Sequence, residues 1–369
     1  MSLSHTLFDC ATALLHPLYK LTGGYEGKYN SPPKKILIVK PDHLGDVILT
    51  TPSLAALHDH FPEAEIWYLV KNTSLPALKN NPALTRLIEF NAPWCCRSHE
   101  KALPWNELSK LARQLRRQRF DVAIAMQDNA QTHLFLSLCG IPRRIGFAPR
   151  GGKYLLTDAP IPPTEDEHAV LSHNRLVKLL GVEVGERPTQ IFLTKEEEEE
   201  GAELLGSSAL LFHVGAAHKG KRVSVEQGAA ICQALNEKCD LQVFLASGPG
   251  EKELLAQYKA AWPEAKTLPP LTIRQLAAVI KKAKLFLGHD SGPGHIASAV
   301  GTPTIILFGQ GNPKKWRPWG KKTTIIRKEV CETPCIGQPQ HDDCKNIGAI
   351  EPKEVAETAY SLLSDADKE

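Results

Sequence analysis

The sequence predicts an α/β protein built as two doubly wound domains facing a central cleft. Three observations point there. Buried-type strands alternate with helical stretches along nearly the whole chain, that alternation is interrupted once, and glycine-rich or charged turns follow the strands. With 369 residues and 42% hydrophobic content, the chain is long enough for two cores.

In the first half, KILIVK (35–40), EIWYLV (65–70), RLIEF (86–90) and DVAIAM (121–126) read as strands, with RRIGF (143–147) a further candidate. Runs of this kind suit parallel strands covered on both faces. Between them the pattern predicts a helix beginning near Asp46, a short helical turn after residue 70, and helices over 104–119, 130–139 and 168–180. DAPIPPTEDE (158–167) and GVEVGERP (181–188) then bracket the hinge. The predicted divisions are an extension and linker over 1–33, a first domain over 34–185, a second over 186–350, and a terminal helix over 351–369 packing back across the domains.

The second half opens on a capping box, Thr194 with Glu197, whose helix KEEEEEGAELL carries a glutamate run near the favourable end of its dipole. Strand ALLFHV (209–214) leads into GAAHKGKRV and a helix for which Ser224 and Gln227 form a second box. Strand LQVFLA (241–246) leads into SGPGE and another helix, and Thr272 with Gln275 caps helix 272–282. The centre of this half is LFLGHDSGPGHIASAVGTPTIILFG (285–309): a buried strand, a seven-residue turn, a short helix and a second buried strand. Ser291 is placed to cap that helix and Pro293 suits its first turn.

Net charge of +3 is close to balance and gives no general argument for nucleic-acid binding, with local basic patches left open. The nine scattered cysteines favour a reducing, cytoplasmic setting. No stretch approaches the roughly 20 apolar residues of a membrane span, and the N-terminus lacks the features of a signal peptide. Leu3, Leu7, Cys10, Leu14, Leu18 and Leu21 recur at helical spacing, so residues 3–21 form either a membrane-surface helix or one packed on its own domain.

The loops carry the chemistry. Gly215-Ala216-Ala217 offers small residues and backbone N–H groups, with Lys219, Lys221 and Arg222 supplying positive charge. Ser247-Gly248-Pro249-Gly250 and Ser291-Gly292 are close-approach turns, and together these loops cradle a diphosphate. Glu251 either accepts ribose hydroxyls or is a favourable charge in a first helical turn. In the first half, Lys40, Asp42, His43 and Asp46 gather between strand and helix; the acids and His43 can act as a base or orient hydroxyls, while Asp46 also suits plain capping. Neither an intact GxGxxG after the first strand of either half nor a GxxxxGK[ST] occurs, which disfavours dehydrogenases and P-loop NTPases. Cys331, Cys335, His341 and Cys344 read as a zinc set or a reduced structural loop. Arg113, Arg116, Arg117 and Arg119 read as a solvated helix face or a contact for anionic lipid or acceptor phosphates.

VKPDHLGDVILTTPSLAALHDHFPEAEI resembles the opening motif of the heptosyltransferases, glycosyltransferase family 9. HVGAAHKGKRVSVEQ, ASGPGEKELL, LGHDSGPGHIASAVGTPTIILFG and GQGNPKKWRPWG resemble its later motifs in the same order, so the likeness covers about residues 34 to 364. The resemblance implies a GT-B fold of two Rossmann-like domains. It further implies inverting, metal-independent transfer from ADP-heptose to a lipid-linked lipopolysaccharide core acceptor, with no cofactor beyond the donor. By motif, Asp46 matches the general base and Lys221 the basic residue facing the departing phosphate, with Gly215 and Ala216 its backbone neighbours. Glu251 falls near the ribose-binding acid and Asp290 matches the contact to donor sugar hydroxyls. Ser291, Gly292 and His295 complete the phosphate-side turn. Lys40, where many members carry arginine, and His43 lie on the acceptor side; Val223 replaces a common tryptophan. The implied setting is the cytoplasmic face of the inner membrane, with a nucleotide sugar and a glycolipid or core oligosaccharide as partners and no nucleic acid. Two other readings are a GT-B transferase using another nucleotide sugar and a silent binding subunit on the same fold.

Overall fold

A computed structural model describes residues 31–97, 100–206, 209–331, 342 and 344–366. The expected N-terminal amphipathic helix, and Cys335 and His341 of the proposed zinc set, lie outside these residues. Among the described residues no cluster of His, Cys, Asp and Glu has the makings of a metal site. No helix among them is long and apolar enough to cross a membrane. The chain divides into two compact units, Met1–Arg187 and Pro188–Glu369.

The first unit is a five-stranded parallel sheet of β1 (Lys35–Val39), β2 (Glu65–Val70), β3 (Arg86–Glu89), β4 (Val122–Ala125) and β5 (Arg143–Gly146), in the order β3-β2-β1-β4-β5. In β1, Ile36, Leu37, Ile38 and Val39 are all fully buried, because both sheet faces are covered. One face carries α1 (Leu44–Ile48), α2 (Thr51–His60) and α5 (Ala169–Lys178); the other carries α3 (Trp105–Gln118) and α4 (Ala130–Leu138). The helix expected from Asp46 onward begins at Leu44 and is broken in two. The Thr50 and Thr51 hydroxyls accept no helical continuation; they donate to Val47 O and Ile48 O at 2.7 and 2.8 Å, and Pro52 then opens α2.

The second unit contains α6 (Lys195–Leu205), β6 (Ala209–His213), α7 (Val225–Cys239), β7 (Gln242–Ala246), α8 (Lys252–Ala261), β8 (Lys266–Thr267) and α9 (Ile273–Lys282). It continues with β9 (Leu285–His289), α10 (Gly292–Val300), β10 (Thr304–Leu307), α11 (Pro313–Trp316), β11 (Thr323–Ile326), α12 (Lys345–Gly348) and α13 (Pro352–Ala366). Its strands run in the order β11-β10-β9-β6-β7-β8. Relabelled within each unit, the first sheet follows the order 3-2-1-4-5 and the second 3-2-1-4-5-6, so each reverses direction beside its own first strand. In such sheets ligands sit beyond the carboxyl ends of the strands at that reversal.

The capping boxes at Thr194/Glu197 and Thr272/Gln275 form in full. The third forms by half. The Ser224 hydroxyl accepts from Gln227 N–H, but the Gln227 side chain donates instead to Ile347 O and Ile350 O at 3.1 and 2.7 Å. That amide pins the C-terminal segment onto α7, against which α13 also packs. The short strands β8 and β11 carry too few apolar residues for the sequence pattern to show them.

Candidate active site

At the first sheet's reversal, the loop after β1 presents Lys40, Asp42, His43 and Asp46. Lys40 is buried and its ammonium lies 3.2 Å from Asp42 Oδ2. Burial works to lower the Lys40 pKa, but the charges of Asp42 and Asp46 outweigh it and leave it raised. Burial likewise works to raise Asp42, yet Lys40 and the His43 N–H hold its carboxyl down at about 2. His43 is exposed at the start of α1, where its ring lies 3.3 Å from Arg97 Nη2. Burial of the imidazole, aided by Arg97 and Lys71, lowers its pKa despite Asp42. Asp46 stands half-buried in the first turn of α1, with its charge acting on Lys40.

The sequence reading overlooked two neighbours at this edge. Lys71 follows β2 with its ammonium buried, paired with Glu100 and donating to Cys95 O at 3.2 Å. After β4, the Gln127 side chain accepts from Cys95 Sγ and Thr132 Oγ1, and the charge of Asp128 reaches Lys40. The signal that would have found them is position alone: each begins a loop at the carboxyl end of a strand next to β1.

The second sheet's reversal lies between β6 and β9, and there the predicted donor-side residues converge. Lys221 Nζ donates to Asp290 Oδ2 at 2.6 Å, and both side chains are largely buried. Desolvation raises the Asp290 pKa, with Lys221 opposing. Glu251 ends the loop after β7; its Oε2 accepts from Gly248 N–H at 2.7 Å, and its Oε1 lies 3.8 Å from Arg222 Nη1. The carboxylate is packed so closely on the next loop that a Cβ at Gly215 would sit 1.7 Å from it. A side chain at Gly215 would push the Glu251 carboxylate aside; the glycine lets the β6 and β7 loops meet in one surface beside the buried Ala216.

Gly292 opens α10, and His295 is buried in its first turn. Ser291 occupies the N-cap position without capping. Its extended backbone turns the hydroxyl back to donate to His289 O at 3.3 Å, so the capping expected of it does not form. Two residues the sequence reading passed over support these loops. The fully buried His289 ring accepts Val223 N–H on Nε2 at 3.3 Å, fixing the residue two beyond Lys221. Arg327 Nη1 donates to Gly309 O and Gly311 O, both at 2.9 Å, and holds the loop whose Gly311 lies against Asp290. A groove of 920 Å³ opens beside Arg222 and Glu251 and is lined further by Lys219, Ser224, Leu254 and Lys345.

This edge offers a largely buried cation–carboxylate pair, glycine-containing turns and the Glu251–Arg222 carboxylate–guanidinium pair beside the groove. Such a surface suits a nucleoside diphosphate. The family model for glycosyltransferase family 9 (heptosyltransferase) matches residues 108–345. Lipopolysaccharide heptosyltransferase 3 of Escherichia coli is 26% identical over 291 residues, covering 74% of this chain and 83% of that protein. The solved ADP-heptose lps heptosyltransferase II of E. coli superposes with a TM-score of 0.73 at 22% identity, over 90% of this chain and 99% of its own. The E. coli heptosyltransferase WaaC with ADP gives 0.72 at 17% identity, over 89% and 99%. The two Rossmann-like units therefore make a GT-B fold, and this chain, a glycosyltransferase, belongs to glycosyltransferase family 9, the heptosyltransferase family.

Proposed function

We infer that the chain transfers heptose from ADP-heptose to a lipid-linked lipopolysaccharide core acceptor, with inversion and without a metal ion. The observation that carries this reading is the Lys221–Asp290 pair, set between Gly215, Ser291 and Gly292 at the reversal of the second sheet. The relatives' names supply the sugar and the acceptor class.

The chemistry balances on this chain's own residues. The acceptor hydroxyl oxygen attacks the anomeric carbon while the bond from that carbon to the β-phosphate oxygen breaks. The electron pair leaves with ADP, and the hydroxyl proton passes to the Asp46 carboxylate. Lys221, Arg222 and the N–H groups at the start of α10 face the charge that develops on the diphosphate, so the cationic role of a metal is filled by side chains. Asp290 accepts from the sugar hydroxyls, Glu251 accepts from the ribose, and His295 braces the turn. Lys40 and His43 contact the acceptor. The reaction belongs to the cytoplasmic face of the inner membrane, where such an acceptor is embedded.

A thermal-shift panel with ADP, UDP, GDP and their sugars tests the donor. ADP-heptose and ADP are expected to raise Tm most, and the shift from ADP should shrink in Lys221→Ala. A stronger response to UDP or GDP species would replace this donor with another nucleotide sugar.

A further inference from the structure

The outer helices of the first unit carry a surface that the transfer reaction does not use. Helices α3 and α4 cover the same side of the sheet, over Leu108, Ala112, Leu115, Phe135, Leu136 and Cys139. Their N-terminal ends are tied through Trp94, which lies 6.2 Å from Trp105 and donates to Thr132 Oγ1 at 3.0 Å. Their C-terminal ends meet where the Arg116 side chain lies against Gly140.

With Leu108, Ala112 and Leu115 turned inward, a rotation of about 100° per residue puts Lys110, Arg113 and Arg117 on the outward crest of α3. Arg116 lies off that crest with its side chain against Gly140, Arg119 follows as the C-cap, and all five cations are exposed. Residues 105–119 thus hold five cations and one carboxylate, whereas the whole chain has a net charge of only +3. Glu107 pairs with Lys110; among the described residues, no carboxylate pairs with Arg113, Arg116, Arg117 or Arg119. On α4, beside the exposed Gln131, two outward positions are leucines: Leu134 and Leu138 are 37% and 61% exposed, and Trp105, at the start of α3, is 71% exposed.

We propose that this α3–α4 face docks on an anionic lipid surface. The choice of lipid rests on the lipid-linked acceptor proposed above, and the surface itself favours it on two grounds. From Lys110 to Arg119 the cations are spread over about two and a half helical turns, a span of about 13 Å, which a diffuse negative surface satisfies together and a single bound anion does not. The leucines and the indole beside them match the headgroup–acyl boundary, where apolar side chains sink shallowly and tryptophan settles. A nucleic-acid backbone would engage the arginines and leave those leucines in water. The end of the surface at Trp105 adjoins the Trp94–Arg97 segment, whose Arg97 reaches His43, so a docked bilayer lies next to the acceptor-side loop.

Vesicle flotation of the full chain tests this without any substrate. Binding is expected to vesicles of phosphatidylcholine mixed with phosphatidylglycerol, to be absent with phosphatidylcholine alone, and to fall with added salt. The triple variant K110Q/R113Q/R117Q should lose on the order of 100-fold in partitioning, about five-fold per cation. L134S/L138S should weaken binding severalfold at unchanged charge. Transfer to a delipidated, soluble acceptor should be unchanged in both variants. Equal flotation of the triple variant and the parent would overturn the proposal, since residues 1–30 are intact in both. Loss of transfer to the soluble acceptor, or tight binding of duplex DNA that survives L134S/L138S, would overturn it as well. A failure to transfer heptose by the unmodified protein would instead overturn the reading of the reaction.

Discussion

The two carboxyl edges share a strand order and differ in almost everything else. At the first edge the side chains are charged in near balance. Lys40 with Asp42 and Lys71 with Glu100 are ion pairs, and Asp46 adds a further carboxylate. At the second edge Gly215, Gly248 and Gly311 bring backbone against the carboxylates of Glu251 and Asp290, whose cations are Arg222 and Lys221, and burial lowers the pKa of the two imidazoles beneath, His213 and His289. The topology sets where a ligand sits, and the side chains decide what the place does. A carboxylate-rich edge can take a proton; an edge of N–H groups and cations can hold a leaving diphosphate. Substitutions that damage one edge should spare the other, and that separation is the sharpest test of the comparison.

The largest effect is expected at Asp46. Asp46→Asn keeps the shape of α1 and removes the proton acceptor, so kcat should fall by about 10³-fold, in the range of general-base catalysis. Donor affinity, read as the ADP-induced rise in Tm, should stay within about two-fold of the parent, because the donor loops belong to the second unit. Full activity in this variant would remove Asp46 from the base role. Lost ADP binding with it would erase the division between the edges.

Lys221→Ala is expected to cost about 10²-fold in kcat/KM and to weaken ADP, the reverse pattern. It also leaves Asp290 buried without its cation, and a broken buried pair costs about 3 kcal/mol. Desolvation already raises the Asp290 pKa against the opposing charge of Lys221, so losing that cation raises it further. Adding Asp290→Asn to Lys221→Ala should recover most of the stability in urea and none of the activity. Recovery of both would mean that the pair acts only in folding.

Much of this was legible in the residues, and the misses have physical causes. β1, β2, β4, β6 and β7 hold continuous apolar runs of at least four residues, which periodicity detects well; β8 has two residues and β11 reads Thr-Thr-Ile-Ile. Thr194 and Thr272 announce their helices because a capping box is local in sequence. Gln227 was misread because its amide found carbonyls more than a hundred residues away. Shorter separations, still beyond any local motif, hid Lys71, whose partner lies 29 residues on, and Arg327, which acts through Gly309 and Gly311. Asp290, Lys221 and Glu251 were visible as chemistry in glycine-rich turns. That Glu251 lies on Gly215, and Lys221 on Asp290, is a property of strand order, which no short motif contains.

The smallest effect expected is in the pH dependence of stability, and it separates the edges by pH range. His289 is fully buried, and desolvation, with His213 next, pushes its pKa down to about 3. In the unfolded chain the same group titrates near 6.5. As pH falls through 6.5 the unfolded chain takes up a proton that the folded chain refuses. The stability this residue leaves intact above 6.5 is therefore lost progressively toward pH 3. Between pH 7 and pH 5 the loss from this one group is about 2 kcal/mol. At the first edge, Asp42 keeps its charge down to about 2, so its contribution persists across that interval and fades only as pH falls below about 4. His289→Gln retains an acceptor for Val223 N–H and does not titrate, while His213 and His173 remain to respond in both proteins. Urea denaturation at pH 7 and pH 5 should thus show a smaller drop in the Gln variant than in the parent, by about that amount. Equal drops would show that the ring under the Lys221 loop accepts a proton in the folded state, and that the second edge is not held on neutral imidazole.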